Sequence, residues 1–530
     1  MKVALIAPPY PLEEAPSPPL GICYVAASFE AAGANVRIFD YIVRAYTPEK
    51  LRSEMDRFQP GVVGTNSVTM NFKTAAGILK TAKRHDPSIT TIMGGPHVSF
   101  DYENTLKQFP EIDVIVVGEG ENTLKELIPV LHDRTAWPGI EGLAFMMNGC
   151  VVTTGKRAFV QDLDALPLPA RHLLPVSRYQ ALGFPVSIIT SRGCPNQCIF
   201  CQGRRMVGMK VRYRSHLRIV DEIEDILTYG FTRINIADDF FTSNKRRVRL
   251  ICDEILRRKL AFSWAAFARV DSTSREVLSV MKNAGCDTVS FGIESGNPEM
   301  LKRIRKGITM DQARNAVAMC REVGMGVFLS FMVGLPGETE QTLSDTHAFA
   351  EELDAPFGYH FLAPLPGTTL WEEMDRFDLE VLTDDWDRYD ANHAITRTSA
   401  LNETQVSDFV GIFNREVEKA WNGIFERYRN NDCTPDERLR VEGDRRMRMI
   451  FTILSEDLVE TLGRYPLAAT KNGHISQLSE NLSTVLAHPL SEIREIMYDL
   501  AGKGWIKYET AGDCIQWYWS HNKDVDRLSS

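Results

Sequence analysis

Residues 186–203 read VSIITSRGCPNQCIFCQG, and this passage decides the architecture of the chain. Its first third is a short run rich in β-branched residues, the signature of a buried strand. That strand runs without a break into a loop carrying Cys194, Cys198 and Cys201 in the spacing C-x3-C-x2-C. Three thiolates from one loop can hold three corners of a cubane iron–sulfur cluster, leaving the fourth iron without a protein ligand. A bidentate group, such as the amine and carboxylate of an amino acid, could occupy that iron. A structural zinc site would want a fourth Cys or His close by, and the next histidine, His216, is not at ligand spacing. The other seven cysteines (Cys23, Cys150, Cys252, Cys286, Cys320, Cys433 and Cys514) stand singly and read as small buried hydrophobes.

Downstream of the loop the sequence keeps a strand–helix rhythm. Strand patterns cover Val186–Thr190, Arg233–Ala237, Trp264–Ala268, Thr288–Ile293, Gly326–Val333 and Tyr359–Leu362. Between them lie amphipathic segments such as Leu217–Leu227, Arg246–Arg258, Arg275–Ala284, Asp311–Val323 and Thr342–Leu353. Six such units predict a partial (β/α)6 barrel over 181–398, with its chemistry at the strand C-terminal ends. Upstream, strand patterns at Lys2–Ala7, Asn35–Asp40, Gly61–Asn66, Thr90–Gly94 and Ile112–Val117 alternate with helices such as Leu51–Phe58 and Phe72–His85. Unbroken apolar strands separated by helices indicate an α/β unit with a parallel sheet covered on both faces, here a flavodoxin-like (Rossmann-type) domain over 1–138. A hairpin (Gly139–Gly155) and a proline-spaced linker, ALPLPARHLLP, fill 139–180. The tail, 399–530, is charged and helical; LSEIREIMYDLAGKGWIKYETAGDCIQWYWS reads as a helix, a glycine turn and two strands, in winged-helix order.

Composition narrows the functional classes. The net charge of −10 and the acidic residues in the winged-helix segment argue against nucleic acid as a partner. No apolar run approaches the roughly 18 residues of a membrane span. The opening MKVALIAPPY reads as a buried strand rather than a signal peptide, so the expected location is cytoplasmic.

The cysteine spacing at the end of the first barrel strand, with Phe200 before the last Cys, resembles the radical S-adenosylmethionine (SAM) superfamily. The resemblance implies a [4Fe–4S] cluster on Cys194, Cys198 and Cys201, with SAM chelating the open iron. It also implies an electron donor such as flavodoxin or ferredoxin, and cleavage of SAM to a 5′-deoxyadenosyl radical. Further barrel segments match. IADDFFT (Ile236–Thr242) resembles the segment receiving the SAM amino group, which implies Asp238 or Asp239; a helix N-cap acid is the plainer reading. FARVD brings Arg269 toward the SAM carboxylate, or toward an ion pair. FGIESG places Glu294 near the ribose, and GLPGET places Gly334 where backbone can approach adenine, although a strand-to-helix turn explains it too. YHFLAPLPGTTLWEEM ends the barrel and offers Tyr359 and His360 as substrate contacts or core.

The front unit resembles the cobalamin-binding domain of B12-dependent radical SAM enzymes, on APPYP (Ala7–Pro11), PPLGICYVAASFEAAG (Pro18–Gly33), GTNSVT (Gly64–Thr69), MGGPHVS (Met93–Ser99) and VVGEGE (Val116–Glu121). Cobalamin contacts are thereby implied at Thr65, Ser67, Gly94, Gly95, His97, Gly118 and Glu119, His97 being equally a hydrogen-bonded loop histidine. The D-x-H-x-x-G string of base-off cobalamin domains is absent from this unit; DTHAFA (Asp345–Ala350) lacks the glycine and lies in a barrel helix. With the resemblance covering 1–370, the expected activity is methylation of an unactivated carbon of a small molecule. One SAM would methylate cobalamin, and a second would supply the radical. An oxidative cyclase or rearrangement enzyme, resembling the anaerobic Mg-protoporphyrin monomethyl ester cyclase, and a non-catalytic cobalamin and Fe–S binding protein are the alternatives.

Overall fold

A computed structural model describes residues 1–11, 16–469 and 473–520. The part of the expected tail domain at 470–472 and 521–530 lies outside the described residues.

The front unit runs β1 (Lys2–Ala7), α1 (Leu20–Ala31), β2 (Asn35–Asp40), α2 (Pro48–Phe58), β3 (Val62–Asn66), α3 (Phe72–His85), β4 (Thr90–Gly94), α4 (Pro96–Gln108), β5 (Val114–Val116) and α5 (Glu121–Leu127). Its strands pair in parallel in the order β2-β1-β3-β4-β5, the doubly wound flavodoxin-like order, with a ligand crevice where the winding reverses between β1 and β3. Every residue of β1 after Lys2 is buried because helices cover both faces. Successive side chains nevertheless enter different cores. Ala4 and Ile6 pack with α2 and α3, whereas Val3, Leu5 and Ala7 pack with α1 and belong to a core continuous with the barrel. The front unit is therefore joined to the barrel through a shared apolar interior. Helix α3 shows the local logic: Phe72, Ala75, Ala76, Ile78, Leu79 and Ala82 form its buried stripe, while Lys83, Arg84 and His85 meet the negative end of its dipole.

The expected hairpin forms as β6 (Leu143–Met147) and β7 (Cys150–Thr153), and β6 pairs antiparallel with β5, extending the front sheet. The linker leads into α6 (Val176–Leu182). There the Tyr179 hydroxyl donates to Asp40 Oδ2 at 2.7 Å, and burial pushes the Asp40 carboxyl up to about 6.

The second unit contains β8 (Val186–Ile188), β9 (Ser191–Arg192), α7 (Gly203–Val207), β10 (Arg212–Tyr213), α8 (His216–Thr228), β11 (Arg233–Ile236), α9 (Lys245–Arg257), β12 (Ser263–Ala268), α10 (Arg275–Asn283) and β13 (Cys286–Glu294). It continues with α11 (Pro298–Arg303), α12 (Met310–Glu322), β14 (Gly326–Val333), α13 (Glu340–Glu352) and β15 (Phe357–Phe361). Six strands pair in parallel in chain order, β8-β11-β12-β13-β14-β15, an open partial barrel. The first strand ends at Ile188 rather than Thr190, because Asp238 captures Thr190. A two-residue antiparallel ladder between β9 and β10 also lies beyond what periodicity reveals.

The tail holds α14 (Thr369–Glu372), the short pair β16 (Glu380–Val381) and β17 (Thr396–Arg397), then the long helices α15 (Glu403–Arg429) and α16 (Pro435–Ser455). It ends with α17 (Leu458–Leu462), β18 (Arg464–Pro466), α18 (His474–Leu482), α19 (Leu490–Gly502), β19 (Ile506–Ala511) and β20 (Cys514–Trp519), whose strands pair as β18-β20-β19. This winged-helix-like body packs onto the rest of the chain: Asp457 and Glu460 meet Arg178 of α6, and Asp457 also meets Lys50 of α2. Among the described residues no helix is long and apolar enough to cross a membrane.

Candidate active centre

The cysteine loop leaves β9 and returns through β10, so both its ends are stitched by the Arg192–Arg212 pairing. Cys194 N–H donates to Gly208 O at 3.1 Å. Gly193 has φ of +109°, and a Cβ there would lie 2.4 Å from Lys210 O, so only glycine lets the loop turn. In the middle, fully buried Ile199 is gripped on both sides: its N–H donates to Ile304 O at 3.1 Å, and its O accepts from Leu370 N–H at 2.9 Å. The three thiols are consequently presented by a braced segment.

The donor set fits a cluster better than a single ion. All three cysteines are unbridged, and two of the sulfurs already accept N–H groups, Cys194 from Asn196 Nδ2 at 3.2 Å and Cys201 from Gly203 N at 3.3 Å. Hydrogen bonds of this kind tune Fe–S clusters. Among the described residues no three His, Cys, Asp or Glu side chains converge as they would on one metal ion; a cubane, with an iron at each corner, needs no such convergence. Burial raises the Cys198 thiol above its ordinary value, and Lys306 and Arg269 are the nearest cations pulling it down.

The two acids of IADDFFT separate clearly. Asp238 is buried and accepts from Thr190 N and Oγ1, both at 2.5 Å, and from Ser191 Oγ at 2.6 Å. It anchors the strand-to-loop junction. Asp239 instead faces the interdomain cavity. A Cβ on Gly203 would lie 2.9 Å from Asp239 Oδ1 and 3.4 Å from Cys201 Sγ, so that glycine lets the acid approach the cysteine loop. Burial raises the Asp239 carboxyl above its usual range, opposed by a hydrogen bond from the Gly193 amide.

At the next strand ends, Arg269 Nε and Nη2 bind Asp271 at 3.0 and 2.9 Å, and Nη2 also donates to Lys306 O at 2.9 Å. Glu294 Oε1 accepts from Lys306 Nζ at 2.6 Å. Phe200 lies under that ammonium, 6.0 Å from it to the ring centre. Gly334 has φ of +80°, and its N–H donates to Glu338 at 2.6 Å. Glu338 is fully buried, and burial pushes its carboxyl up to about 8 against the hydrogen bonds from the Gly334 and Leu335 amides. Tyr359 and His360 are neighbours on one strand and so point to opposite faces. Tyr359 packs outward among Phe331, Phe409 and Phe413 beneath α15, while His360 is exposed.

A cavity of about 370 Å³ lies between the front sheet's strand ends and the cysteine-loop side of the barrel. Thr65, Gly94, Gly95, Gly118 and Glu119 line it from the front unit; Ser191, Arg192, Met206 and Asp239 line it from the barrel. Thr65 and Gly94 are the ends of β3 and β4 rather than loop residues. Gly95 is held at φ +103°, and a Cβ there would meet Ser67 O at 2.4 Å, so Ser67 sits behind the wall. His97 does not line the cavity either. It lies in the first turn of α4, fully buried, with Nδ1 3.3 Å from Thr69 Oγ1 and its ring against Phe72 and Trp386. Burial depresses its pKa to about 4. Glu119 is a clamp: it meets Arg212 at 2.8 Å and Arg192 at 3.2 Å and accepts from Val160 N at 2.8 Å, while Arg192 also binds Glu121 at 2.6 Å. This network ties the front unit to the cysteine loop, and its arginines, like Lys306, carry no motif that singles them out.

Two family models match the chain, the B12 binding domain over residues 14–128 and the Radical SAM superfamily over 188–350. An uncharacterized methyltransferase of Pyrococcus horikoshii is 36% identical, over 77% of this chain and 90% of that protein. The anaerobic magnesium-protoporphyrin IX monomethyl ester cyclase of Cereibacter sphaeroides is 29% identical, over 75% of this chain and 66% of its own length. Among solved structures, the cobalamin-dependent SAM radical enzyme OxsB with aqua-cobalamin and SAM bound superposes with a TM-score of 0.68 at 20% identity, covering 95% of this chain and 79% of that one. The radical SAM methyltransferase TsrM of Kitasatospora setae, with cobalamin and a [4Fe–4S] cluster, gives 0.63 at 21% identity, covering 72% and 81%. These two share the fold. The barrel with its braced cysteine loop, the doubly wound front unit opening onto it and the 36% identical relative lead to one assignment: this chain is an enzyme of the cobalamin-dependent radical SAM family, with a [4Fe–4S] cluster, SAM and cobalamin as its cofactor set.

Proposed function

We propose that the enzyme methylates an unactivated carbon of a small molecule. The observation that carries this reading is the cavity whose walls are the cobalamin-domain strand ends on one side and Ser191, Arg192 and Asp239 on the other. Both cofactors would open onto one chamber, with substrate between them. When bound, the cluster supplies the electron that splits SAM, and cobalamin carries the methyl group. In the net exchange a C–H bond is replaced by a C–CH3 bond. One SAM gives up its methyl group and leaves as S-adenosylhomocysteine; a second leaves as methionine and, with the substrate hydrogen, 5′-deoxyadenosine. A flavodoxin- or ferredoxin-type donor provides two electrons per turnover.

The chain's own residues have separable tasks. Cys194, Cys198 and Cys201 hold the cluster. Asp239 accepts from the SAM amine, because Asp238 is already committed to Thr190 and Ser191. Arg269, whose Nε and Nη2 are engaged by Asp271 and the Lys306 carbonyl, would offer its remaining nitrogen to the SAM carboxylate. Gly94, Gly95 and Gly118 bring backbone close to a flat ring, and the Glu119–Arg192–Arg212 clamp fixes the front unit against the cluster loop. Low polarity and exclusion of water protect the radical.

Anaerobic turnover with methyl-deuterated SAM tests the reading. A deuterated methyl on the product supports transfer; a product lacking it supports cyclisation or oxidation. No 5′-deoxyadenosine at all, with the cluster present, supports a non-catalytic binding protein.

A further inference from the structure

Lys306 lies in the turn after α11, directly behind the cysteine loop. Its side chain is 8% exposed, and a lysine so buried is rare unless paired. Its partner is Glu294 Oε1 at 2.6 Å. Glu294 is held at φ +73°, a left-handed conformation that costs a non-glycine residue about 1–3 kcal/mol and persists only where surroundings enforce it. Gly292 makes room for the pair: a Cβ there would lie 2.4 Å from Glu294 Oε1 and 3.2 Å from Lys306 Nζ.

The turn is docked onto the cysteine loop by Ile199 N–H to Ile304 O at 3.1 Å, and its Lys306 carbonyl is held by Arg269 Nη2 at 2.9 Å. The ammonium lies 6.0 Å from the ring centre of Phe200, which stands between Cys198 and Cys201 in sequence, on a turn held at two points of its backbone. A fixed charge at such a place acts through low-dielectric protein, where its field is felt far more strongly than in water. Reduction adds one negative charge to a cluster already carrying three thiolates, and a buried cation beside it makes that addition easier. The carboxylate of Glu294 offsets part of the effect.

We propose that Lys306, balanced by Glu294, is a charge-setting positioning residue that biases the cluster toward its reduced form. The inference rests on the cluster occupying the three cysteines, so iron and sulfide content are measured alongside.

The test uses the full chain, reconstituted anaerobically without SAM, poised at a series of potentials and read by EPR of the reduced cluster. In Lys306→Met the reduced-to-oxidised ratio at a fixed potential falls about tenfold, equivalent to about 59 mV for one electron. Lys306→Arg keeps the wild-type ratio. Glu294→Gln moves it in the opposite direction, toward reduction. A Lys306→Met protein with full iron and sulfide and an unchanged ratio overturns the proposal. If that variant loses its cluster, Glu294→Gln decides: a shift toward reduction supports it and no shift overturns it. A wild-type chain that takes up no iron overturns the cluster reading, and this one with it.

Discussion

The two sides of the central cavity are built on opposite principles. The barrel side presents side chains: Ser191, Arg192 and Asp239 at the cavity, with the three thiols, Arg269 and the Glu294–Lys306 pair on the neighbouring loops and strand ends. The front-unit side works mostly through backbone shape, with Gly94, Gly95 and Gly118 at the ends of β4 and β5 and an apolar wall that includes Leu5 and Ile92. A ligand held by charge and coordination needs particular side chains at particular spacings. A large flat ring needs close approach of main chain and the absence of side chains. The difference predicts that damage on one side can spare the cofactor on the other.

The largest separation is expected from the cysteines. A C194A/C198A/C201A variant should lose the brown chromophore, iron, sulfide and 5′-deoxyadenosine formation to background, yet still retain cobalamin by absorbance. Loss of cobalamin together with the cluster would break the contrast. From the other side, Gly95→Val forces a Cβ onto Ser67 O in a conformation that β-branched residues avoid. It should release cobalamin and lower unfolding stability by about 2–4 kcal/mol, while iron content after reconstitution stays at the wild-type level.

The paired acids sharpen the contrast within the barrel side. Asp238→Ala removes the acceptor of three hydrogen bonds at the strand-to-loop junction, and bonds to a charged group contribute about 1.5–3 kcal/mol each. It should lower the melting temperature by several degrees. Asp239→Asn should leave melting within a degree or two and weaken SAM binding about tenfold or more, measured by equilibrium dialysis on the reconstituted protein. If the two swap phenotypes, the assignment of the SAM contact is wrong.

His97 gives a smaller, pH-resolved effect. Its folded pKa, about 4, lies below its ordinary value of 6.5, so the unfolded chain binds the proton first as pH falls. Stability is full above pH 6.5 and declines as pH drops toward 4, by at most about 1.4 kcal/mol per unit. Urea midpoints of wild type and His97→Phe, compared at pH 7 and pH 4.5, should differ by a smaller interval in the variant. Smallest of all, Lys73→Ala breaks a half-exposed pair with Asp385 and should change stability by less than about 1 kcal/mol.

The same contrast explains what could be read in the sequence. The cysteine loop and the strand ends behind it are legible because their chemistry demands fixed residue types beside strong strand patterns. The front-unit strands are equally plain, since their unbroken apolar runs follow from burial on both faces. The roles of Asp238 and Asp239 are not legible: both stand in the same motif, and only Thr190 and Ser191, 48 and 47 positions from Asp238, tell them apart. The Glu119 clamp is not legible either, because its partners Arg192 and Arg212 lie 73 and 93 residues on. His97 reads as a loop histidine because Pro96 opens α4 there, with no apolar periodicity to announce a helix. Lys306 has no motif; its burial beside Glu294 comes from the turn after α11 docking on Ile199. Two-residue ladders such as β9–β10 have no period to detect.

Everything proposed for the barrel side requires that three thiolates leave one iron open to SAM. The most direct test is the EPR spectrum of the reconstituted, dithionite-reduced protein recorded before and after SAM is added. The expected result is a cluster signal whose g-values shift when SAM binds, and no such signal in the C194A/C198A/C201A variant. A spectrum unmoved by saturating SAM, or a cluster shown to carry four protein ligands, would contradict it.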